Sequence, residues 1–263
     1  MPNTGGRLAT NGMPLNSFSS RAWNHLTAPV RPGSFVELEL LLLTFCTGIQ
    51  DAVSFPDYHC FASNQTGNTV FLMLAIILPE LNGESFITAN IGAALGFFLA
   101  GGWLTGQLSH IIGARCRLWL IFCNFIQTAL VFAAAAVQHV YGTEDRGTVA
   151  VIVVSLLAFA SGSQVVQSRS MAMTEISTAM ATAAWVDLLI DKKLFVANNR
   201  PRSRRVAFLA VLALGALAGA GIYKTAGSPV AIAVSAAGKF IVTIMYFFNS
   251  SEQTKVADAS DAV

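Results

Sequence analysis

Gln50 and Asp51 are the residues best placed to do chemistry, because they sit where an apolar run breaks. The stretch from Gly48 to Leu78 reads GIQDAVSFPDYHCFASNQTGNTVFLMLAIIL. It begins inside one apolar run, Leu40–Thr47, and ends in another, Val70–Leu78. Between them lie Gln50, Asp51, Pro56, Asp57, His59, Asn64, Gln65, Thr66, Gly67 and Asn68. Irregular backbone at membrane depth persists only where protein or a water-filled cavity satisfies it. An unpaired carboxylate there costs at least about 2.5–3.5 kcal/mol on insertion scales. Asp51 therefore calls for a cation, a proton or a basic partner. Two readings stand side by side: a midplane site, or a structural acid that caps a broken helix or pairs with Arg169.

Other polar groups extend the candidate site. Asn64, Thr66 and Asn68 stand where a short helix would begin. Free N–H groups and the positive dipole end there suit an anionic group, and an ordinary N-cap explains the same residues. Gln164, Gln167, Arg169 and Glu175 form a second cluster, which either lines the same cavity or places Arg169 and Glu175 at the cytosolic interface. Lys239 falls near the centre of the last apolar run, buried against a carboxylate such as Asp51 or snorkelling. The candidate substrate-binding set is thus Gln50, Asp51, Asn64, Thr66, Asn68, Gln164, Arg169 and Lys239.

The elements that must hold these residues are membrane spans. The chain is 54% hydrophobic and 11% charged; soluble domains carry about 25% charged residues. A soluble chain of 263 residues could not hide so much apolar surface. Six stretches approach the ~20 residues that a spanning helix needs: Phe35–Phe55, Phe86–Ile112, Leu118–Tyr141, Thr148–Ser168, Val206–Tyr223 and Pro229–Phe248. Thr66–Leu78 and about Thr178–Val196 are too short or too charged to be clear spans. A helix from Glu39 to Asp51 rises about 18 Å, so Glu39 at the inner surface would leave Asp51 near the midplane.

Charge placement sets the count. Lys192, Lys193, Arg200, Arg202, Arg204 and Arg205 make 191–205 the most basic loop, and Arg115–Arg117 is basic as well. Six spans put both, with the two termini, on one side, and leave the acidic 79–85 loop on the other. The positive-inside rule favours that arrangement, with cytosolic termini. Residues 1–34 read as a disordered basic cytosolic tail, 35–249 as the membrane domain with halves at about 35–141 and 148–249, and 250–263 as a second tail. Leu15, Phe18, Ala22 and Leu26 have the spacing of a surface helix. The four cysteines lack metal-ligand spacing.

The chain also repeats itself. Gly48-Ile-Gln50 lines up with Gly162-Ser-Gln164, Thr66-Gly67 with Thr182-Ala183, and Leu95-Gly96 with Leu214-Gly215, at offsets of 114, 116 and 119 residues. Three spans per half would make the halves inverted, a transporter signature. Gly92, Gly96, Gly101, Gly102 and Gly106 on the third apolar helix, and Gly215, Gly219 and Gly221 on a later one, read as helix-crossing positions.

At these residues the chain resembles a known family. The run GIQDAVSF, the segment FASNQTGNT from Phe61 to Thr69 and the Gly-rich span that follows are similar to the YoaK-like family, domain of unknown function 1275. Its members show a G-x-x-D-A segment, an F-x-x-x-x-T-G-N segment and a second-half G-x-Q. The similarity covers about residues 36–250. Val165 and Ala183 stand where the family often has Asn and Gly. The resemblance implies a multipass membrane protein and no particular reaction.

The expectation is an all-α, polytopic helical membrane protein with about six spans and two short broken segments. Its partners would be the lipid bilayer and a small solute or proton, with no nucleic acid, cofactor or metal. No nucleophile–His pairing, Walker loop or HExxH motif appears, so the reading is small-solute or ion transport rather than catalysis. The alternatives are a non-transporting membrane scaffold that organises partners, and then an intramembrane enzyme.

Overall fold

The computed structural model describes residues 23–83 and 85–252. Its six long helices are apolar enough to cross a membrane: α1 Ser34–Tyr58, α3 Thr88–Ile112, α4 Arg117–Tyr141, α5 Thr148–Ser170, α7 Arg200–Ala226 and α8 Ser228–Met245. Two short helices, α2 Gln65–Ile77 and α6 Ala181–Leu189, occupy the two segments that hydropathy left ambiguous. Local chemistry sets several boundaries. Pro201 and Pro229 lie at the first turns of α7 and α8, where a missing N–H is harmless. Gly227, at φ 88°, turns the chain between them.

The long helices alternate in direction. One end of the bundle gathers the start of α1, the end of α5 and the start of α7: Arg200 reaches Ser34 and Glu37, and Arg115 Nε donates to the Ser170 carbonyl. At the opposite end Asn90 donates to the carbonyls of Tyr58 and Asp145, and Ser228 Oγ donates to Gln138 Oε1. The last three spans therefore run opposite to the first three. The first end carries the 191–205 loop and is called the basic end below.

Glycines set the two closest crossings. A Cβ on Gly48 would overlap the Leu212 carbonyl oxygen of α7, and one on Gly215 the Phe45 carbonyl oxygen of α1. In the other pair, Gly162 of α5 faces the Phe98 carbonyl oxygen of α3, and Gly101 of α3 faces that of Phe159. All these contacts recur at one spacing of 114 residues: Gly48 with Gly162, Phe45 with Phe159, Leu212 with Phe98, and Gly215 with Gly101. The offset does not drift to 119, as the Leu-Gly match predicts; Gly215 corresponds to Gly101, not Gly96. Gly92, Gly96 and Gly221 face open space, so they are not crossing positions. α3 crosses α5 and α7 crosses α1.

The tail expected through residue 34 is shorter than that. Val30 is fully buried, and its N–H donates to the Arg115 carbonyl at 2.9 Å. Arg31 N donates to Ser250 O, and Glu252 N to Pro29 O. Residues 28–31 and 250–252 thus lie as a strap across the basic end, because their backbone groups satisfy one another there. The proposed surface helix falls mainly outside the described residues.

Candidate functional site

The first polar stretch folds back on α1. After Tyr58 the chain turns at His59, which sits in the left-handed region at φ 54°. It then retraces the last turns of the helix: Ala62 N donates to Ser54 Oγ at 3.2 Å, and Ser63 donates to Asp51 from both N (2.9 Å) and Oγ (2.5 Å). Asn68, fully buried, closes the turn with bonds to the Phe61 N–H and carbonyl and to Gln65 Oε1. Asn64 caps α2 by accepting from Gly67 N, and Thr66 is exposed. α2 therefore starts near the depth of Asp51 and returns about 20 Å toward the opposite end.

Asp51 thus holds this turn and does not pair with Arg169. We expect Asp51→Ala to lower stability by about 1–3 kcal/mol, because it strands two buried donors. Ser63→Ala should cost less, and the two changes should be strongly non-additive in thermal unfolding. Independent effects would mean that the pairing is incidental.

A second polar layer crosses the centre of the bundle. Lys239 of α8 is fully buried, and its ammonium donates to Gln164 Oε1 of α5. Gln164 Nε2 donates to Thr47 Oγ1 of α1 at 2.9 Å. One turn from Lys239, Ser235 Oγ accepts from Gln50 Nε2 at 2.7 Å and donates to the Cys46 carbonyl. On α4, Asn124 binds the Lys239 carbonyl and Thr243 Oγ1, while Gln127 binds Ser163 Oγ and Gln167 Oε1. Asn124 Oδ1 and Gln127 Oε1 are buried without a partner among the described residues. Neither a carboxylate nor snorkelling explains Lys239. The side chain is fully buried and its ammonium is bonded inward to Gln164 of α5, so it does not run along its own helix toward either end.

The two ends carry further layers. At the opposite end Gln138 Nε2 binds Asp57 Oδ2 and Tyr58 Oη. At the basic end Glu39 is fully buried and accepts from Asn249 Nδ2 at 2.8 Å, rather than lying at an inner surface. The strap and the helix ends cover it. Buried Arg117 donates to the carbonyls of His25 and Asn249 and to Ser251 Oγ. Asn249 begins a glycosylation sequon, so glycan there would have to displace it from Glu39.

The basic loop is braced from within. Arg205 pairs with Asp187 and Asp191, and Arg204 with Glu37 and Glu175. The Asn199 amide, the Lys193 N–H and Arg205 hold the Asp191 carboxyl below its usual range. Arg169 is exposed at this end, against Met180 sulfur, beside a cavity of about 240 Å³ lined by Met173, Thr174, Ile176 and Ser177.

Of the eight candidate residues, the fold brings Gln50, Gln164 and Lys239 into the central layer. It brings Asp51, Asn64 and Asn68 into the re-entrant turn, and leaves Thr66 and Arg169 apart. Sequence reasoning missed Thr47, Ser235, Ser163 and Thr105, whose Oγ1 donates to Ser163 Oγ at 2.8 Å. Ser and Thr are common in spans, where a hydroxyl can satisfy its own helix. The one available signal for Thr47, Ser163 and Ser235 was their position within a turn of Gln50, Gln164 and Lys239; Thr105, alone on α3, had none. The four cysteines are free thiols, with Cys46 and Cys123 in the central layer.

A family model described as a protein of unknown function (DUF1275) matches residues 40–245. No curated protein and no solved structure matches the chain.

Proposed function

The chain belongs to the DUF1275 family of proteins of unknown function, and from that premise we propose that it is a small-solute or ion transporter with a midplane site between two inverted halves. The observation that carries this reading is Lys239. It is a fully buried lysine whose ammonium donates to a neutral amide on α5, at the level where α1, α4, α5 and α8 meet. A charge at that depth is costly, and it marks a solute or proton pathway by default. The constant 114-residue spacing of the two glycine crossings supports the inverted repeat, as does the opposed direction of the two sets of spans. Broken segments at corresponding places in both halves fit rocking of one half against the other. The basic loop, which lies at the same end as the strap, supports cytosolic termini by the positive-inside rule.

The test is a solute-flux screen in proteoliposomes at several pH values, with native protein, Gln164→Leu and Asp51→Asn. Flux that Gln164→Leu abolishes at unchanged folding supports the central site. Proton coupling that Asp51→Asn removes, with flux retained, would add Asp51 to the pathway. A broad panel without flux sinks the reading. One observation favours a second reading, a non-transporting scaffold: Asp51 and most of the central layer are hydrogen-bonded within the protein. In that case Gln164→Leu changes stability alone. Intramembrane catalysis is the weakest reading, since Asp51 is bonded to Ser63 in a turn.

A further inference from the structure

We propose that the central site takes a small monovalent anion, held by the Lys239 ammonium; this rests on the transporter reading and names its substrate class. The argument is one of charge and donors. An ammonium has three N–H donors and no acceptor, and Gln164 Oε1 is its hydrogen-bond acceptor among the described residues. The acids within the spans are engaged elsewhere: Glu39 with Asn249, Asp51 with Ser63 and Asp57 with Gln138. Glu37, at the start of α1, pairs with Arg200 and Arg204. The ionisable groups that interact electrostatically with Lys239 are the thiols of Cys46 and Cys123. The centre therefore carries one positive charge with no carboxylate against it.

The surrounding groups suit an anion as well. Gln50 Nε2, Gln164 Nε2 and the hydroxyls of Thr47 and Ser235 are donors within this layer, each now bonded to a protein acceptor. Small rotations would turn them toward a negative ligand once the halves part. Gln164 Oε1 then acts as the stand-in acceptor of the closed state, which an entering anion displaces. The helices cross at glycine with backbone against backbone, which leaves little room at this level, so the ligand is small, of the size of chloride, nitrate or formate. A single ammonium matches a single charge.

The experiment is thermal unfolding of the full chain in detergent, with sodium chloride, nitrate or formate replacing gluconate at constant ionic strength. Anion flux into proteoliposomes is measured in parallel, beside neutral solutes and cations. The native protein should gain a few degrees in Tm with at least one of the three anions. Lys239→Gln should lose that gain and the matching flux, and Lys239→Arg should keep a weakened form of both. A gain that survives Lys239→Gln overturns the proposal, because the anion then binds elsewhere. Flux of a neutral solute or cation without any anion effect overturns the anion and leaves transport standing. Absence of both flux and anion effect overturns both. If Lys239→Gln fails to fold, Lys239→Arg decides, since an altered order of preference among the three anions is then required.

Discussion

Gly162→Ala should disrupt the bundle, while Gly96→Ala should leave it nearly unchanged. A Cβ at Gly162 would overlap the Phe98 carbonyl oxygen and crowd Gly102 N of α3. These are backbone atoms of a packed helix, so no side-chain rotation relieves the overlap. Overpacking a tight core costs about 1–3 kcal/mol, and more where the backbone must move. We expect the upper part of that range, read as lost thermal stability in detergent and poor recovery of folded protein. The equivalent change at the other crossing, Gly48→Ala, should behave alike, because Gly48 meets Leu212 O and Ala216 N of α7. Gly96 has nothing within 4 Å of its added methyl, so its change should stay within about 1 kcal/mol. Equal losses at Gly162 and Gly96 would contradict the crossing geometry.

Arg117→Met should release the strap. Arg117 is fully buried and ties three separate pieces of chain: the His25 carbonyl, the Asn249 carbonyl and Ser251 Oγ. Asn249 in turn holds Glu39, so the two buried charges are joined through one asparagine. Removing one member of such an arrangement leaves the other uncompensated, which typically costs about 3–5 kcal/mol. The loss should be local as well as global. Protease should cut upstream of Ser34 and downstream of Phe248 far sooner than in the native protein. Arg115→Met is the milder comparison: its half-exposed pair with Glu252 contributes about 0–1 kcal/mol, and its bond to the Ser170 carbonyl adds about 1 kcal/mol more. Slow cleavage in Arg117→Met would mean that the strap is held by its backbone bonds alone.

The six spans were legible because hydropathy depends on composition over about twenty residues, and the bundle places them where the runs predict. The two short helices were legible as interruptions. The partner of each polar side chain was not. Lys239 could be placed at mid-span from its distance to Pro229, yet nothing local shows that Gln164 meets it rather than Asp51. The repeat was visible at Gly48 and Gly162, where Gln50 and Gln164 follow at equal distance. It was misread at Gly96, because a Leu-Gly pair recurs easily in a helix rich in small residues, while the match in crossing geometry is Gly101 with Gly215. The strap left no trace in the sequence. Its backbone bonds join residues from 85 positions apart (Val30 with Arg115) to 223 (Pro29 with Glu252).

Transport around a midplane site can be tested without knowing the solute. Cys46 and Cys123 lie in the central layer and are almost wholly buried. A full-length variant with Cys60 and Cys116 changed to serine keeps only these two thiols. It would be reconstituted in vesicles and exposed, from each side in turn, to a membrane-impermeant thiol reagent. Alternating access opens the centre to both sides in turn, so at least one of the two thiols should react from each face, and bound anion should slow the reaction. Labelling from neither face, in protein that reacts fully once unfolded, would contradict transport and leave a sealed membrane scaffold.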